Sequence, residues 1–330
     1  MPPAQAELFS GLITTTLITA QNASALEPLA RRDFGPWDQV LKLVWAPDGS
    51  SLAVSAGENL HILNSPGLEN RLEIRLDSWA PDVAYAPDGK NLATVDRNGV
   101  LRVWNSSNGE LLQSLQAHQK SGSAVAYRPD SSLIATAGYD AMSRLWELSS
   151  GKKLGEMIGG TFAVPAIAFT PDSASLAIVN GNIIRLRDVA SQRFVRTIVA
   201  ENPLFTIAFS PDGRLLASGD VNNTVRLWDI ATDASPAVEI RESLQTLTAQ
   251  KGPVVGVKAL VWQVAFSPDG SLLAAVSGDG KIRIWEVING TLLAELAGHN
   301  QAATSLAFSP DGHWLASGGL DSGVILWGIR

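Results

Sequence analysis

Apolar and small residues alternate along short segments that end at a Pro-Asp turn. In the segment TIAFSPDGRLLASGD, Ile207 and Phe209 fall on one side and Ala208 falls on the other. Alternation with a period of two is typical of a β-strand, and apolar or small residues on both sides indicate a strand that is buried on both faces. The turn residues favour a short hairpin, because Pro presets φ and Gly accepts a positive φ. Each such segment therefore predicts a pair of short antiparallel strands.

The same pattern recurs seven times along the chain. The turns begin at Pro47, Pro87, Pro129, Pro171, Pro211, Pro268 and Pro310. Their successive spacings are 40, 42, 42, 40, 57 and 42 residues. A tryptophan, or a residue in its place, follows each proline by 16 or 17 residues: Leu63, Trp104, Trp146, Arg187, Trp228, Trp285 and Trp327. A period near 40 residues, with several short strands in each unit, indicates a repeat architecture.

Two stretches carry a resemblance to a known family, LASGDVNNTVRLWD and AGHNQAATSLAFSPDGHWLASGGLDSGVILW. On these residues the chain resembles the WD-repeat (Trp-Asp repeat) family, over about residues 24–330. The resemblance implies an all-β fold, a seven-bladed β-propeller of four-stranded antiparallel blades. It also implies two parts of the chain, an N-terminal extension (residues 1–23) and the propeller (residues 24–330).

The last repeat ends at Arg330, three residues after Trp327, and leaves no segment for a fourth strand. In the resembled family the last blade is commonly shared between the two chain ends. Counting back from the first and the last Pro-Asp turns aligns Gly35 with Gly298. We therefore expect residues 25–33 to complete the last blade as its outermost strand, so that this blade has no unpaired edge there.

Two repeats contain a histidine, a hydroxyl residue, an aspartate and a tryptophan at matching positions. The sets are His299, Ser317, Asp321 and Trp327 in the seventh repeat, and His118, Thr136, Asp140 and Trp146 in the third. These residue types could form a nucleophilic triad, but a triad also needs an exposed nucleophile and an oxyanion hole, and the sequence indicates neither. The resemblance implies structural tetrads instead, in which the histidine lies between the aspartate and the hydroxyl. We assign no catalytic residue.

Arginine precedes the tryptophan or its substitute by two positions in five repeats. These residues are Arg102, Arg144, Arg185, Arg226 and Arg283. Strand alternation puts each arginine on the same side as the indole two residues later. We therefore expect cation–π contacts or packing of the arginine stem against the ring, and a structural role ahead of anion binding.

Composition narrows the classes of function. The net charge of −7 and the pI near 5.2 give no basic footprint for a phosphate backbone, so we expect no nucleic-acid partner. The chain has 4 histidines and 0 cysteines, which argues against a metal centre, and no cofactor motif is found. No apolar run approaches the length of a membrane-spanning helix. We expect a monomeric ring without a membrane span.

The sequence does not decide the cellular compartment of the protein. A chain without thiols suits oxidising and reducing surroundings alike. The first 30 residues contain no Lys or Arg, which argues against an intact secretory signal. A cytoplasmic location is favoured, and a secreted or periplasmic one is possible if a signal was removed.

Partner binding is expected at one edge of the propeller, where the loops that enter each blade meet the turns between its second and third strands. The resembled family most often uses this edge. The candidate residues there are Trp37, Trp79, Arg97, Lys120, Tyr139 and Leu320. Trp79 and Tyr139 are the best candidates, because Trp, Tyr and Arg dominate interface hot spots. The alternative is that either ring folds over a neighbouring loop.

Two further segments depart from the repeat. The distance from Trp228 to Pro268 is 40 residues, against 24 or 25 elsewhere, which indicates an insertion of about 15 residues that includes the apolar run at residues 254–257. In the extension, Leu8, Phe9, Leu12, Ile13 and Leu17 recur at helical spacing, but a run of threonines disfavours a helix. The roles of both segments stay open.

The family resemblance, together with the lack of a catalytic constellation in the sequence, implies a non-enzymatic scaffold that presents a rim of loops to a protein or peptide. One alternative is a propeller hydrolase or lyase with its site at the channel mouth. Another is a structural subunit or domain of a larger assembly. The residues expected where the inner strands begin are poor material for acid–base chemistry: Lys42, Asp82, Ala124, Ala166, Thr206, Gln263 and Ser305.

Overall fold

The computed structural model describes residues 7–8, 16–158, 162–231, 238–240, 245–248 and 260–330. This part of the chain forms seven β-sheets of four or five strands and one turn of 3-10 helix at Ala23–Ala25. The sheets are the blades of a β-propeller, so the all-β, seven-bladed prediction is confirmed. The insertion residues 249–259 and the apolar positions Phe9, Leu12 and Ile13 lie outside the described residues.

The strands are short and follow one another blade by blade. Before blade one come β1 (Glu7–Leu8) and β2 (Glu27–Asp33). Blade one contains β3 (Val40–Trp45), β4 (Ser51–Ala56), β5 (Asn59–Asn64) and β6 (Asn70–Arg75). Blade two contains β7 (Asp82–Tyr85), β8 (Asn91–Val95), β9 (Val100–Asn105) and β10 (Leu111–Gln116). Blade three contains β11 (Gly122–Tyr127), β12 (Leu133–Gly138), β13 (Met142–Glu147) and β14 (Lys153–Ile158).

The remaining blades repeat the arrangement. Blade four contains β15 (Ile167–Phe169), β16 (Ser175–Asn180), β17 (Ile183–Asp188) and β18 (Phe194–Val199). Blade five contains β19 (Leu204–Phe209), β20 (Leu215–Asp220), β21 (Thr224–Asp229) and β23 (Gln245–Thr248), and β22 (Val238–Ile240) precedes β23 in the chain. Blade six contains β24 (Val261–Phe266), β25 (Leu272–Ser277), β26 (Lys281–Glu286) and β27 (Leu292–Ala297). Blade seven contains β28 (Ala303–Phe308), β29 (Leu315–Gly319) and β30 (Gly323–Gly328).

The chain divides into two compact units. The first comprises Met1–Trp79, Asn222–Val225 and Leu247–Arg330, and the second comprises Ala80–Val221 and Arg226–Thr246. Blades one, six and seven lie in the first unit, and blades two, three and four lie in the second.

Burial changes from the second to the fourth strand of a blade. Every residue of β4 is buried, with the sequence SLAVSA, whereas the residues of β10, with the sequence LLQSLQ, are exposed or half-buried. The small residues of the second strands let neighbouring sheets pack closely on both faces, as the alternating pattern predicts. The fourth strand faces solvent.

Strand β2 completes blade seven from the N-terminal side. It pairs antiparallel with β30, from Glu27 opposite Gly328 to Asp33 opposite Gly323. The prediction that an N-terminal strand completes the last blade is confirmed, since β2 takes the fourth position of its sheet beside β30. Strand β1 pairs with the outer side of β2 and makes this sheet five-stranded.

Part of the predicted extension packs against blades six and seven. Ile18 is 2% exposed, and it lies with Ala23 and Leu26 in one apolar cluster that also contains Leu296 and Trp327. The backbone N–H of Ile18 donates to the carbonyl of Gly312 over 3.0 Å. The boundary at residue 24 stays a prediction, and this packing supports a propeller unit that begins before residue 18.

A segment between the third and fourth strands of blade five extends blade four. Strand β22 pairs in parallel with β18, with Val238 opposite Arg196 and Ile240 opposite Ile198. Blade four therefore has five strands, the fifth contributed by a segment that follows β21 in the chain.

Candidate functional site

The four tetrad residues of blade seven form one hydrogen-bonded chain. His299 Nδ1 lies 2.9 Å from Asp321 Oδ1, and His299 Nε2 lies 2.8 Å from Ser317 Oγ. Trp327 Nε1 donates to the same Ser317 Oγ over 2.9 Å. Because an ionised carboxylate only accepts, Nδ1 carries the ring proton and Nε2 accepts from the hydroxyl. Each of the four side chains thus has a hydrogen-bond partner within this set. Ser317 is 0% exposed.

Asp321 is held as a carboxylate. Burial raises its pKa, but the hydrogen bond and charge of His299, the backbone N–H of Asn300 and the charge of Arg31 together lower the pKa to about 2. This arrangement orients an imidazole and an indole, and the buried hydroxyl is already the acceptor of the indole N–H.

Arg31 reaches Asp321 from strand β2. Its Nη2 atom lies 3.3 Å from Asp321 Oδ2, and its Nε donates to Asp33 Oδ1 over 2.8 Å. Arg31 is directly opposite Ile325, which occupies the position that is arginine in five other repeats. The N-terminal strand therefore supplies the cation that blade seven lacks in its own repeat.

Four of the five repeat arginines form ion pairs with an acid of their own blade. The ion pairs are Arg102 with Asp96, Arg144 with Asp140, Arg226 with Asp220 and Arg283 with Asp279. The guanidinium of Arg185 lies over the ring of Phe194, 5.8 Å from the ring centroid. These charge-assisted hydrogen bonds support the structural role expected of the arginines, and their packing against the indoles stays a prediction.

The acid that pairs with the arginine occupies one of two positions. In blades three, six and seven it precedes the tryptophan by six residues, as Asp140, Asp279 and Asp321 do. In blades two and five that position is asparagine, and the acid precedes the tryptophan by eight residues, as Asp96 and Asp220 do. The ion pair between arginine and aspartate is thus retained, although the aspartate occupies a different position in the repeat.

A swap of the arginine between the two paired strands tests this compensation. We expect Arg31→Ile to lower the free energy of unfolding by about 1–3 kcal/mol, because Asp321 loses a charged hydrogen-bond donor. Adding Ile325→Arg in the same chain should recover part of that loss. The measurement is guanidinium chloride unfolding of both single variants and of the double variant, and strictly additive effects would contradict the compensation.

In blade three the matching residues are not all joined. His118 Nδ1 lies 2.8 Å from Asp140 Oδ1, and Trp146 Nε1 donates to Thr136 Oγ1 over 3.0 Å. His118 Nε2 is buried and has no hydrogen-bond partner among the described residues. Burial lowers the pKa of His118 although Asp140 acts to raise it. The tetrad that the resemblance implies is therefore two separate pairs here, and Arg144 joins Asp140 as its second partner.

The six predicted partner-binding residues lie in the loops and turns of one edge of their blades. Because the strands are antiparallel, the loop that enters a blade and the turn between its second and third strands fall at the same edge, which we call the entry edge. Trp37, Trp79 and Lys120 lie in entering loops, and Arg97, Tyr139 and Leu320 lie in turns. Trp37 is 83% exposed and Tyr139 is 54% exposed, while Arg97 and Lys120 are exposed and Trp79 and Leu320 are half-buried.

Four exposed residues of the second unit lie on entry-edge loops and turns that backbone hydrogen bonds join, and we call them the entry-edge patch: Arg97, Lys120, Tyr139 and Phe162. Phe162, in the loop that enters blade four, is 64% exposed. The sequence analysis did not identify Phe162 as a candidate, because the fourth repeat has Arg187 in place of tryptophan and matches the repeat pattern less well. The feature of the sequence that could have identified Phe162 is its place as an aromatic residue in a loop-like segment, between a pair of glycines and a proline.

Backbone hydrogen bonds join the loops of the patch. The N–H of Tyr139 donates to the carbonyl of Ser121 over 2.8 Å, next to Lys120. The N–H of Val164 donates to the carbonyl of Gly138 over 3.2 Å, which links the loop of Phe162 to the turn of Tyr139. The patch is thus held in place before any partner binds.

The family model for "WD domain, G-beta repeat" matches residues 78–105, 109–147, 192–229, 241–286 and 290–328, more than half of the chain. The chain belongs to the WD-repeat family. Two unmatched stretches contain the residues that replace the repeat tryptophan, Leu63 before the first match and Arg187 between the second and the third. The structure forms WD-repeat blades there as well, with β3 to β6 and with β15 to β18.

Named relatives share only part of their length with this WD-repeat chain. It is 34% identical over 103 residues to "Periodic tryptophan protein 2" of Arabidopsis thaliana, 31% of this chain and 10% of that protein. It is 31% identical over 134 residues to "Protein Notchless" of Drosophila melanogaster, 31% of this chain and 28% of that protein. It is 26% identical over 133 residues to "COMPASS component SWD3" of Saccharomyces cerevisiae, 40% of this chain and 37% of that protein.

Within the described ranges, none of the helical structure is long and apolar enough to cross a membrane.

Proposed function

We propose that this chain is a non-enzymatic scaffold that binds a protein or peptide partner at its entry edge. The observation that carries the proposal is the entry-edge patch, where Tyr139 and Phe162 stay 54% and 64% exposed on loops that are fixed by backbone hydrogen bonds. Exposed aromatic side chains on a fixed surface favour binding, because little conformational entropy is lost when the partner docks.

WD-repeat propellers are generally non-catalytic, and the geometry supports the same reading of this chain. A nucleophile must reach its substrate, and Ser317 is 0% exposed with its oxygen already bonded to His299 and Trp327. The first strands offer little to a hydrolase or lyase at the channel mouth. Ser305 and Gln263 are hydrogen-bonded to each other over 2.8 Å, and Asp82 accepts the N–H of Val125.

Membership of a larger assembly is the second candidate. The relative named as a COMPASS component is, by that name, part of a complex, and it supports the same role for this chain. We further propose that the partner is a protein and not a nucleic acid, because the net charge of −7 opposes binding to a phosphate backbone. We propose a single ring as the state that binds, with no cofactor.

Removing the two exposed rings of the patch tests the proposed function. We expect the double variant Tyr139→Ala, Phe162→Ala to weaken partner capture by about 1–3 kcal/mol for each ring, because interface aromatics contribute most of the binding energy. The melting temperature should stay within a few degrees of the parent, since both rings face solvent. The measurement is affinity capture from a lysate of the source organism, quantified by mass spectrometry against the parent chain.

Ile288→Ala is the matched control. Ile288 is 83% exposed and lies in the turn between β26 and β27, at the edge opposite to the entry edge. The Ile288→Ala chain should still capture the proteins that the double variant no longer captures. If both variants retain every protein that the parent captures, the entry-edge patch is not the binding surface.

A further inference from the structure

Arg187 takes the position of the repeat tryptophan in blade four, where the partners found in other blades are missing. In four other blades the indole N–H donates to a hydroxyl ten residues earlier in the chain. In blade four that residue is Ala177. The two positions that supply an acid to the repeat arginines of other blades are Val179 and Gly181 here. The repeat therefore offers this guanidinium no acceptor.

Two contacts orient the Arg187 side chain. Its Nε donates to the carbonyl of Gln192, in the turn between β17 and β18, and its guanidinium carbon lies 5.4 Å from the centroid of the Phe194 ring. The N–H of Gln192 donates to the carbonyl of Asp188 over 3.0 Å and closes the turn. A Cβ atom added to Gly155 of blade three would lie 2.9 Å from Gln192 Oε1, so the turn fits against the next blade.

The two Nη atoms of Arg187 remain available to a ligand. Neither forms a hydrogen bond with the described part of the chain, and neither is buried. Burial lowers the pKa of Arg187, and no carboxylate among the described residues acts to raise it. A partly desolvated cation without a counter-ion is unfavourable, so an anion supplied from outside the chain would stabilise this guanidinium.

The carboxylates nearest in the chain and in the next blade have contacts of their own. Asp188 follows Arg187, but strand alternation directs it to the other face, and it accepts the N–H of Ser191 over 2.7 Å. Asp172 accepts a hydroxyl of its own turn over 2.6 Å. Glu156 of blade three is ion-paired with one arginine and one lysine of that blade, at 2.7 and 2.8 Å. None of these acids is a partner of Arg187.

An exposed ring lies beside the available donors. Phe194 is 48% exposed and is directly opposite Arg187 in the pairing of β17 with β18. A guanidinium binds the two oxygens of a carboxylate through parallel hydrogen bonds. One unpaired guanidinium balances one negative charge, whereas a phosphoryl group carries about −1.5 to −2. The chemistry of the pair therefore fits a carboxylate with an apolar group next to it.

We propose that Arg187 and Phe194 form a binding site for a peptide carboxylate that has a large apolar side chain beside it. The carboxylate bonds the Nη atoms of Arg187, and the apolar side chain packs on Phe194. Two sources share this chemistry: a C-terminal apolar residue, and an acidic side chain next to an apolar one. The site lies at the edge of blade four opposite to the entry-edge patch, so it is additional to the proposed partner surface and does not depend on it.

Fluorine NMR with small probes and the full chain tests the proposal. The first probe is N-acetyl-para-fluorophenylalanine, which ends in a carboxylate, and its amide is the neutral counterpart with the same ring. We expect the acid to bind at least about tenfold more tightly than the amide, because hydrogen bonds to a charged group are stronger than neutral ones. Arg187→Gln should weaken binding of the acid at least about tenfold, and Phe194→Ala should weaken the acid and the amide alike.

Two further probes identify the source and the anion. N-acetylglutamyl-para-fluorophenylalaninamide carries its carboxylate on a side chain, so its affinity relative to the first probe shows which source the site prefers. para-Fluorophenyl phosphate carries a phosphoryl group in place of the carboxylate. We expect it to bind more weakly than the better of the two carboxylate probes.

Arg193→Gln is the matched control for charge. Arg193 is exposed in the same turn, and strand alternation places it on the face opposite to Phe194. The substitution removes the same charge and should leave the affinity of the acid within about twofold, because an exposed charge outside the site is screened by salt. Melting curves for each variant separate loss of binding from loss of folding.

Several results would overturn the proposal. Equal affinities of the parent chain for the acid and the amide would show that no cation reads the carboxylate. Equal losses for Arg187→Gln and Arg193→Gln would show attraction by overall charge without a site. An Arg187→Gln chain that melts earlier but binds the acid as the parent does would assign Arg187 a purely structural role. Tighter binding of the phosphate probe, or no binding of any probe, would also contradict the carboxylate site.

Discussion

A chain that lacks residues 1–33 is expected to lose most of its folding stability. The deletion removes strand β2 and leaves the outer side of β30 without the partner it has from Gly323 to Gly328. Unpaired backbone groups at a long strand edge also invite pairing with other chains. We therefore expect a chain that either unfolds at a much lower denaturant concentration or aggregates.

Apolar burial sets the size of the effect. Ile18, Leu26 and Leu29 are all buried, and Leu29 is 2% exposed. Truncating one such side chain typically costs about 2–5 kcal/mol, so losing three of them removes an amount comparable with the whole stability of a domain, about 5–15 kcal/mol. The deletion also takes Arg31 from Asp321.

Guanidinium chloride unfolding, followed by circular dichroism, measures the loss. A deletion of residues 1–15 is the control, and it should unfold close to the full chain. A synthetic peptide of residues 16–36 should restore stability to the truncated chain, and the same peptide with Leu29→Asp should not. Equal unfolding midpoints for the full chain and the 1–33 deletion would show that β2 contributes little.

The repeat made the fold predictable from sequence. Seven Pro-Asp turns at nearly constant spacing place strands without reference to any long-range contact, and each turn closes a local hairpin. The completion of blade seven was predictable for a related reason, since the alignment of Gly35 with Gly298 is a register argument along one chain. Even the repeats with Leu63 and Arg187 in place of tryptophan form blades, because apolar alternation is retained there.

Side-chain partners could not be predicted in the same way. Arg31 and Asp321 are separated by 290 residues, and only the pairing of β2 with β30 brings them together. The shift of the acid to Asp96 and Asp220 keeps an ion pair at a new spacing, which a search for matching positions does not detect. Both depend on which atoms lie within reach of a guanidinium in three dimensions.

At the entry edge, too, the positions of loops and turns were predictable from the sequence, whereas the exposure of individual side chains was not. Alternation and turn chemistry placed Trp37, Tyr139 and Lys120 in loops and turns, and all three are exposed there. Trp37 and Trp79 both lie in loops that enter a blade, but Trp37 is exposed and Trp79 is half-buried, a difference that the repeat pattern does not predict. The hydrogen bond from the N–H of Val164 to the carbonyl of Gly138 links the loop of Phe162 to the turn of Tyr139, and the sequence does not show this contact.

Trp327→Ala is expected to be the most damaging single substitution in blade seven. Trp327 is 1% exposed and belongs to the apolar cluster of Ile18, Leu296 and Leu306. The ring fits closely, since a Cβ atom added to Gly298 would lie 2.8 Å from it. Removing it leaves a cavity that rigid strands on both sides cannot fill.

The loss has two parts. Truncating a buried tryptophan to alanine costs about 3–5 kcal/mol through lost burial and the remaining cavity. The substitution also removes the indole N–H that donates to Ser317 over 2.9 Å, so that one end of the His299 chain loses a partner. Trp327→Phe separates the two parts, because it keeps most of the ring and loses the donor, and it should cost less than the alanine variant.

Trp37→Ala provides the matched control within the same unit, because Trp37 is 83% exposed. A surface substitution of this kind should change the free energy of unfolding by no more than about 0.5 kcal/mol. Chemical unfolding of the three variants and the parent measures the difference at a common temperature. If Trp327→Ala costs less than about 1 kcal/mol, then the surrounding strands collapse into the space and the close packing around Trp327 is not what stabilises this region.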